Sequence, residues 1–278
     1  MENKKKSPLA TIILTIVCVL WMYPILLIFI NALKKEAAIT TTGVFSLPDS
    51  ETWNGLVNFV ASVTQMDFLK SFWYSLIISV MSVVLIMLCC SMAAWYIVRV
   101  NGKLSKVFYY LCVFSMVVPF QMVMFTLAKT ADTLKLNNPY NICIIYLGFG
   151  AGLAVFMFSG FVKGIPLEIE EAALIDGCTP LQVYFKVLIP ILKPTIISTA
   201  ILELMWVWND YLLPTLVLDI KKYRTIPMAV QYFRGSYGHV QMGPMMASIM
   251  IDIIPIIIVY LVCQKHIIEG VVAGAVKG

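Results

Sequence analysis

Charge is scarce in this chain: 13% of its 278 residues are Asp, Glu, Lys or Arg, while 60% are apolar and the mean hydropathy is +0.89. That apolar content exceeds what the core of a soluble domain needs, so most of it must face lipid or other membrane spans. Histidine is scarcer still, with His239 and His266 alone. The cysteines form no Cys-x-x-Cys pair; Cys18, Cys89, Cys90, Cys112, Cys143 and Cys263 sit in or beside apolar runs and Cys178 in a polar one. Neither structural zinc nor a disulfide framework is expected from that pattern. No Gly-x-x-x-x-Gly-Lys-Ser/Thr stretch occurs, so ATP hydrolysis by that route is excluded, and no nucleotide, metal or other cofactor is expected in this chain. The net charge of +5 is dispersed and makes no basic stripe of the kind nucleic acid requires.

What is present in quantity is the long apolar run. Leu9 to Ile30 carries no charge, and its twenty-two residues, at ~1.5 Å each, reach about 33 Å, enough to cross the hydrocarbon of a bilayer. Phe72 to Val98, Val107 to Ala128 and Asn141 to Val162 are likewise uncharged and long enough. Pro194 to Leu218 and Met245 to Gln264 contain carboxylates but remain mostly apolar. The expected fold is an all-α membrane protein, a polytopic bundle of about six transmembrane helices. Pro119, Pro214 and Pro255 are expected to kink spans. The glycines of Gly148-Phe149-Gly150-Ala151-Gly152 suit close helix packing, a small-xxx-small contact between Gly148 and Gly152, better than nucleotide binding in an uncharged span.

Lys4, Lys5 and Lys6 before an apolar stretch have the look of a secretory signal, but the stretch is longer than a signal core and runs into Trp21-Met22-Tyr23-Pro24 without a small-residue cleavage pattern. It is read as a retained first span. With Lys4 to Lys6 inside, six crossings place both termini in the cytoplasm of a multi-pass chain in the cytoplasmic (inner) membrane of a bacterium. Eleven Lys and Arg then fall inside and nine outside. The support is local, from Lys4 to Lys6 and from Arg99, Lys103 and Lys106 between the second and third spans. Lys34, Lys35, Lys221, Lys222 and Arg224 fall outside and oppose it.

Residues 31 to 71 form an outer segment rich in turn chemistry, with Thr40-Thr41-Thr42-Gly43, Pro48-Asp49-Ser50 and Asn54-Gly55, then an amphipathic piece from Leu56 to Leu69. This reads as an external cap, and residues 1–71 as tail, first span and cap. A second outer segment, Asp219 to Pro244, holds Tyr232, Phe233, Arg234, Tyr237 and His239 among glycines; it is either a tether with interfacial aromatics or a surface for a partner. A core of five further spans covers 72–268 and includes an inner polar loop, 163–193, and residues 269–278 form a terminal tail.

The inner loop is the most informative segment. Pro166 suits a first helical turn, and Glu168, Glu170 and Glu171 stand near the start of Leu167 to Ile175, where a helix dipole favours acids. Gly177 allows a left-handed joint, and Thr179-Pro180 reads as cap and first residue of a second helix ending near Leu188. Leu174, Leu181, Tyr184, Phe185 and Leu188 are expected to form one packed face, leaving Glu171 and Asp176 for outside contacts. A helix–turn–helix this small is not stable alone and must pack under the spans.

Glu171-Ala172-Ala173, three residues, Gly177, and Pro190 at the matching distance resemble the EAA loop of membrane permeases in ATP-binding-cassette importers, with Val187 and Ile189 where that pattern has Ile and Leu. Ser75-Leu76-Ile77-Ile78-Ser79 with Ala93-Ala94-Trp95-Tyr96, and Trp208-Asn209-Asp210-Tyr211, resemble further family stretches. The run from Glu269 to Gly278 is similar to the terminal Glu-Gly-x-x-x-Gly-Ala-Val-Lys-Gly of maltose-type sugar permeases. Cys178 replaces a common alanine, and Ser75 stands where relatives often have Asn. The resemblance implies that Glu171, Ala172, Ala173, Asp176, Gly177 and Pro190 belong to a coupling element seated on an ATPase subunit, with the tail reaching the ATPase pair as well. It implies a second, homologous permease subunit, two ATPase subunits that bind ATP and Mg, an extracytoplasmic sugar-binding protein and a lipid membrane as partners. The chain itself is then a transport subunit and not an enzyme.

Candidates for the translocation pathway are Trp206, Trp208, Asn209, Asp210 and Tyr211, whose flat faces and polar tips suit a sugar ring; an interfacial aromatic belt is the alternative. Glu203, Asp210 and Asp252 lie in or near spans, where a charge costs about 2.5 to 3.5 kcal/mol on insertion scales, so each must face protein or water. The resulting expectation is a permease subunit of an ATP-driven importer of a sugar or oligosaccharide. A proton-coupled secondary transporter using Glu203 or Asp252, and an importer of a non-sugar solute, are the alternatives.

Overall fold

The computed structural model describes residues 8–231, 233 and 240–275, with side chains as far as 265. Lys4 to Lys6, Tyr232, Arg234, Tyr237, His239 and the end of the Gly270 to Gly278 tail lie outside the described residues, as do the side chains of 266–275. The described secondary structure is helical apart from isolated bridge residues, among them the antiparallel pair Lys34 and Trp53. Five helices are long and apolar enough to cross a membrane, or six if one bent pair is a single span. The chain divides into two compact units, residues 1–68 with 229–255, and residues 69–228 with 256–278.

In the first unit, α1 (Pro8–Ala32) is apolar on all sides and exposes Leu9, Ile12, Ile13 and Leu14, the surface expected of a lipid-facing span. Beyond it come α2 (Glu36–Thr41) and α3 (Gly55–Gln65). Their connection is held by polar bonds. The buried Lys34 Nζ donates to Thr42 Oγ1 at 3.3 Å, Gly43 O at 3.1 Å and Ser46 Oγ at 3.2 Å. Asn58 Nδ2 donates to Ala32 O and Lys34 O, both at 2.8 Å. Asp49 accepts from the Thr52 hydroxyl and from the Thr52 and Glu51 N–H groups, and these bonds, led by the hydroxyl, hold its carboxyl below the usual carboxylate range. These bonds hold residues 31–66, hereafter the cap, in shape.

In the second unit, α4 (Phe68–Val100), α7 (Ile142–Val162) and α10 (Ile189–Trp208) carry the core. Ile86, Cys90 and Ala94 of α4 pack with Ala154, Val155 and Phe158 of α7, and Ile196 and Ala200 of α10 close the cluster. The span expected over Val107 to Ala128, with a kink at Pro119, is broken into two helices, α5 (Lys103–Ser115) and α6 (Phe120–Thr133), set at 104° to each other. Pro119 cannot donate a helical hydrogen bond and stands at the N-cap of α6, so the break falls beside it. The glycines also work differently from expectation. A Cβ at Gly148 would meet nothing, whereas one at Gly150 would strike Ile86 and Glu203 at 2.7 and 2.9 Å, and one at Gly152 would strike the Met116 side chain and the Cys112 carbonyl. The close approaches of α7 are therefore at 150 and 152.

Pro194 to Leu218 is not one span either. Helix α10 stops at Trp208 and a separate short helix, α11 (Leu212–Val217), contains Pro214. Two further helices follow, α12 (Ile226–Gln231) and α13 (Met242–Ala275), with Pro255 inside the latter. The buried Ser75 Oγ accepts the Ile226 N–H at 2.9 Å and so fixes the start of α12.

Candidate functional site

The loop between α7 and α10 begins with α8 (Leu167–Ile175), capped by Pro166 and carrying Glu168 and Glu170 in its first turn. It ends in a two-bond reversal: the Cys178 N–H donates to Ala173 O at 3.0 Å and the Gly177 N–H to Leu174 O at 3.0 Å. That pattern needs a left-handed residue, and Gly177 stands at φ +85°. The next helix opens on a capping box in which Thr179 Oγ1 accepts from the Gln182 N–H and Gln182 Oε1 accepts from the Thr179 N–H, with Pro180 as first residue. After α9 (Pro180–Gln182) the chain widens into a π-helical turn, Val183–Leu188, and continues without a break into α10. The second helix of the loop, expected to end near Leu188, is thus the beginning of a membrane helix, and the exposed Pro190 lies within it.

One face of α4 fastens this loop. Ser91, Trp95 and Arg99, each one helical turn apart, point the same way. The buried Glu170 accepts from Trp95 Nε1 at 2.8 Å through one oxygen, and from Arg99 Nε at 2.9 Å and Nη2 at 2.6 Å through the other. Arg99 also donates to Ile165 O at 3.0 Å, tying down the residue before Pro166. Trp95 stacks on Tyr184 with ring centroids 5.8 Å apart, and the Tyr184 hydroxyl lies 2.6 Å from Ser91 Oγ. The π-helical turn aims Tyr184 and Leu188 into the unit, where they pack with Val162, Ile165 and Leu192. An apolar clamp and one buried ion pair therefore hold the loop to α4, and the helix itself joins it to α10.

The opposite side of the loop is open. Glu171, Ala172, Asp176 and Gly177 are exposed and Ala173 is half-buried. Leu174, Leu181 and Phe185, expected to pack inward with Tyr184 and Leu188, are instead exposed, and Ile175 is 85% exposed. The reason is local. Glu170 sets which side of α8 turns inward, and the reversal at Gly177 together with the π-helical turn breaks the single helical wheel that would have aligned Leu174 with Tyr184. Sequence reasoning treated Glu170 as one more acid near a helix start and missed its role as anchor; the Ser91, Trp95, Arg99 spacing on α4 was the available signal.

At the far end of α10, Asp210 Oδ2 accepts from the Tyr146 hydroxyl at 2.9 Å, while Oδ1 accepts from the Leu212 N–H at 2.9 Å and so caps α11. Asn209 Nδ2 donates to Met205 O at 2.7 Å. Trp206 meets Tyr146 edge-on at 5.5 Å and remains partly open, whereas the buried Trp208 meets Phe72 edge-on at 5.9 Å. Tyr211 is half-buried. Glu203 is 2% exposed beside Gly150, and its Oε1 has no hydrogen-bond partner among the described residues. Asp252 lies in α13.

Residues 86–272 match the family described as binding-protein-dependent transport system inner membrane component. The chain is 36% identical over 97% of its length to a probable starch degradation products transport system permease protein, AmyC, of Thermoanaerobacterium thermosulfurigenes, covering 96% of that protein. It is 33% identical over 96% of its length to the multiple sugar-binding transport system permease protein MsmG of Streptococcus mutans, covering 95% of it. Among solved structures, a chain of a bacterial ABC transporter involved in import of the acidic polysaccharide alginate shares the fold, with TM-score 0.76, 24% identity, and 92% of this chain and 94% of that one covered.

Proposed function

The chain belongs to the binding-protein-dependent transport system inner membrane components, and from that premise we propose that it is the permease subunit of an ATP-driven importer for a sugar or oligosaccharide. Relatives named for starch degradation products and for multiple sugars support the carbohydrate reading. The proposed partners are a second, related permease, a pair of cytoplasmic ATPase subunits that bind ATP and Mg, and an extracytoplasmic sugar-binding protein. Both termini lie in the cytoplasm in this reading, as does the α8 loop.

The observation that carries the mechanism is the two-sided build of that loop. Its inner side is fixed to α4 through Glu170, Arg99 and Trp95, and it runs unbroken into α10. Its outer side offers Glu171 and Asp176 among exposed apolar side chains, a combination suited to a protein partner rather than to lipid. Force applied to Glu171, Ala172 and Gly177 passes directly to two spans. Closure of the ATPase pair then shifts the bundle from inward-facing to outward-facing, and the partners supply the work through their different affinities for the two states. For the sugar pathway, Trp206, Asn209 and Tyr211 offer accessible surface, while Trp208 and Asp210 hold the stretch in place.

Reconstitution in proteoliposomes tests the reading. Glu171→Lys and Gly177→Pro are expected to insert and assemble but to separate ATP use from sugar uptake, since one reverses the charge of the docking face and the other cannot adopt φ +85°. Normal uptake by both variants removes the coupling role. Uptake that persists on a proton gradient with the ATPase subunits omitted would instead favour the carboxylates Glu203 or Asp252 as relays.

A further inference from the structure

Three helix ends meet at one corner of the second unit: the end of α4, the start of α5 and the end of α7. Asn101, at φ +45°, makes the tight turn from α4 to α5. Between the three ends is a cavity of about 260 Å³ lined by Asn101, Lys106, Tyr109, Tyr110, Ser159 and Lys163 among others. Two lysines line it and no carboxylate does. Neither lysine forms an ion pair among the described residues, where the recorded pair is Arg99 with Glu170. Lys163 Nζ lies 5.8 Å from the centre of the Tyr109 ring, so its charge is held over the cavity wall rather than turned away. Ser159, 1% exposed, lines the same cavity, and its hydroxyl has no hydrogen-bond partner among the described residues.

We propose that this cavity binds the phosphate group of an anionic phospholipid. Interfacial lysines could simply complement the negative ends of α4 and α7. That alone does not explain a cavity whose lining also includes a buried serine with an unpaired hydroxyl, two tyrosines and an asparagine, residue types that carry the donors a phosphodiester uses. The source of the phosphate follows from the next turns of α5, where Leu104, Phe108, Leu111 and Phe114 are all exposed. An acyl chain can lie along that apolar face while the headgroup occupies the cavity, an arrangement not available to a free anion. The cavity lies where three membrane helices end, the depth of the headgroup layer, and basic pockets between spans at that depth recognise anionic lipid. The cytoplasmic leaflet is assigned through the topology proposed above; the binding itself does not depend on that topology or on ATP coupling.

The test is equilibrium binding by native mass spectrometry. The full chain, in the assembly with which it purifies, is stripped of lipid and titrated with phosphatidylglycerol, phosphatidylcholine or inorganic phosphate. Phosphatidylglycerol is expected to be retained and the other two not. Lys106→Gln with Lys163→Gln should weaken that retention roughly 30-fold, the effect of removing two interfacial lysines, whereas Lys106→Arg with Lys163→Arg preserves it. Lys70→Gln with Lys129→Gln, an equal loss of charge elsewhere, should leave it unchanged. All four lysines are exposed, so folding is not at stake. Equal retention of both lipids, undiminished retention by the cavity variant, the same loss in the control, or equally tight binding of inorganic phosphate would each overturn the assignment.

Discussion

Residues 163–188 and residues 31–66 are both polar connections between apolar helices, and they turn charges of opposite sign inward. In the cap, Lys34 is turned inward to three neutral acceptors, and the Glu36 carboxylate accepts from the Met242 and Gly243 N–H groups at 3.0 and 3.1 Å, at the start of α13. Its exposed surface carries Lys35, Asp49 and Glu51 together with the apolar Leu56, Val57 and Val60. In the α8 loop a single acid, Glu170, is turned inward, and Glu168, Glu171 and Asp176 remain exposed among Leu174, Ile175 and Leu181. In each segment the inward charge is a fastener, a cation on neutral acceptors in the cap and an acid on a cation in the loop. The loop differs in that its exposed acids are gathered on one short helix and its reversal among apolar side chains, an arrangement suited to another protein.

The largest expected effect breaks the loop's side of this contrast. Glu170→Ala leaves the Arg99 guanidinium and the Trp95 N–H without their partner, which should cost about 3 kcal/mol. Glu171→Ala, one residue away, should cost less than about 0.5 kcal/mol. Thermal unfolding of the two purified variants measures both, and equal destabilisation would erase the distinction between anchor and docking face.

A smaller effect is expected in the cap. Asn58→Ala strands Ala32 O and Lys34 O, worth about 2 kcal/mol. Gly243→Ala places a Cβ 2.7 Å from Asn58 Nδ2 and should cost about 1 to 3 kcal/mol through overpacking. Limited proteolysis should show residues 31–66 becoming sensitive in both variants while the α8 loop keeps its wild-type cleavage, because the two segments belong to different compact units. Parallel loss in both segments would contradict that independence.

The smallest effect sharpens the comparison by isolating charge from hydrogen bonding. Glu36→Gln keeps an acceptor for the start of α13 but loses its interaction with the positive helix end, worth about 0.5 to 1 kcal/mol. Its melting temperature should fall slightly in low salt and return toward wild type in high salt. An effect independent of salt would mean that the contact is a hydrogen bond alone.

The amino-acid sequence by itself determined the helical membrane class, the positions of most spans, the left-handed joint at Gly177 and the helix cap at Thr179. Each of these follows from a local cause: run length, turn residues, or a backbone angle that only glycine tolerates cheaply. The carboxyl-side stretch Trp208 to Tyr211 was legible as special but not as what it is, a helix end where Asp210 caps α11 and holds Tyr146. What only the tertiary structure decided is which of two adjacent acids is the anchor, that Leu174, Leu181 and Phe185 face outward, that Gly150 and Gly152 rather than Gly148 make close approaches, and that α5 and α6 meet at 104°. These depend on partners distant in the chain. Glu170 and Glu171 are chemically identical until Arg99 and Trp95, more than seventy residues earlier, choose between them.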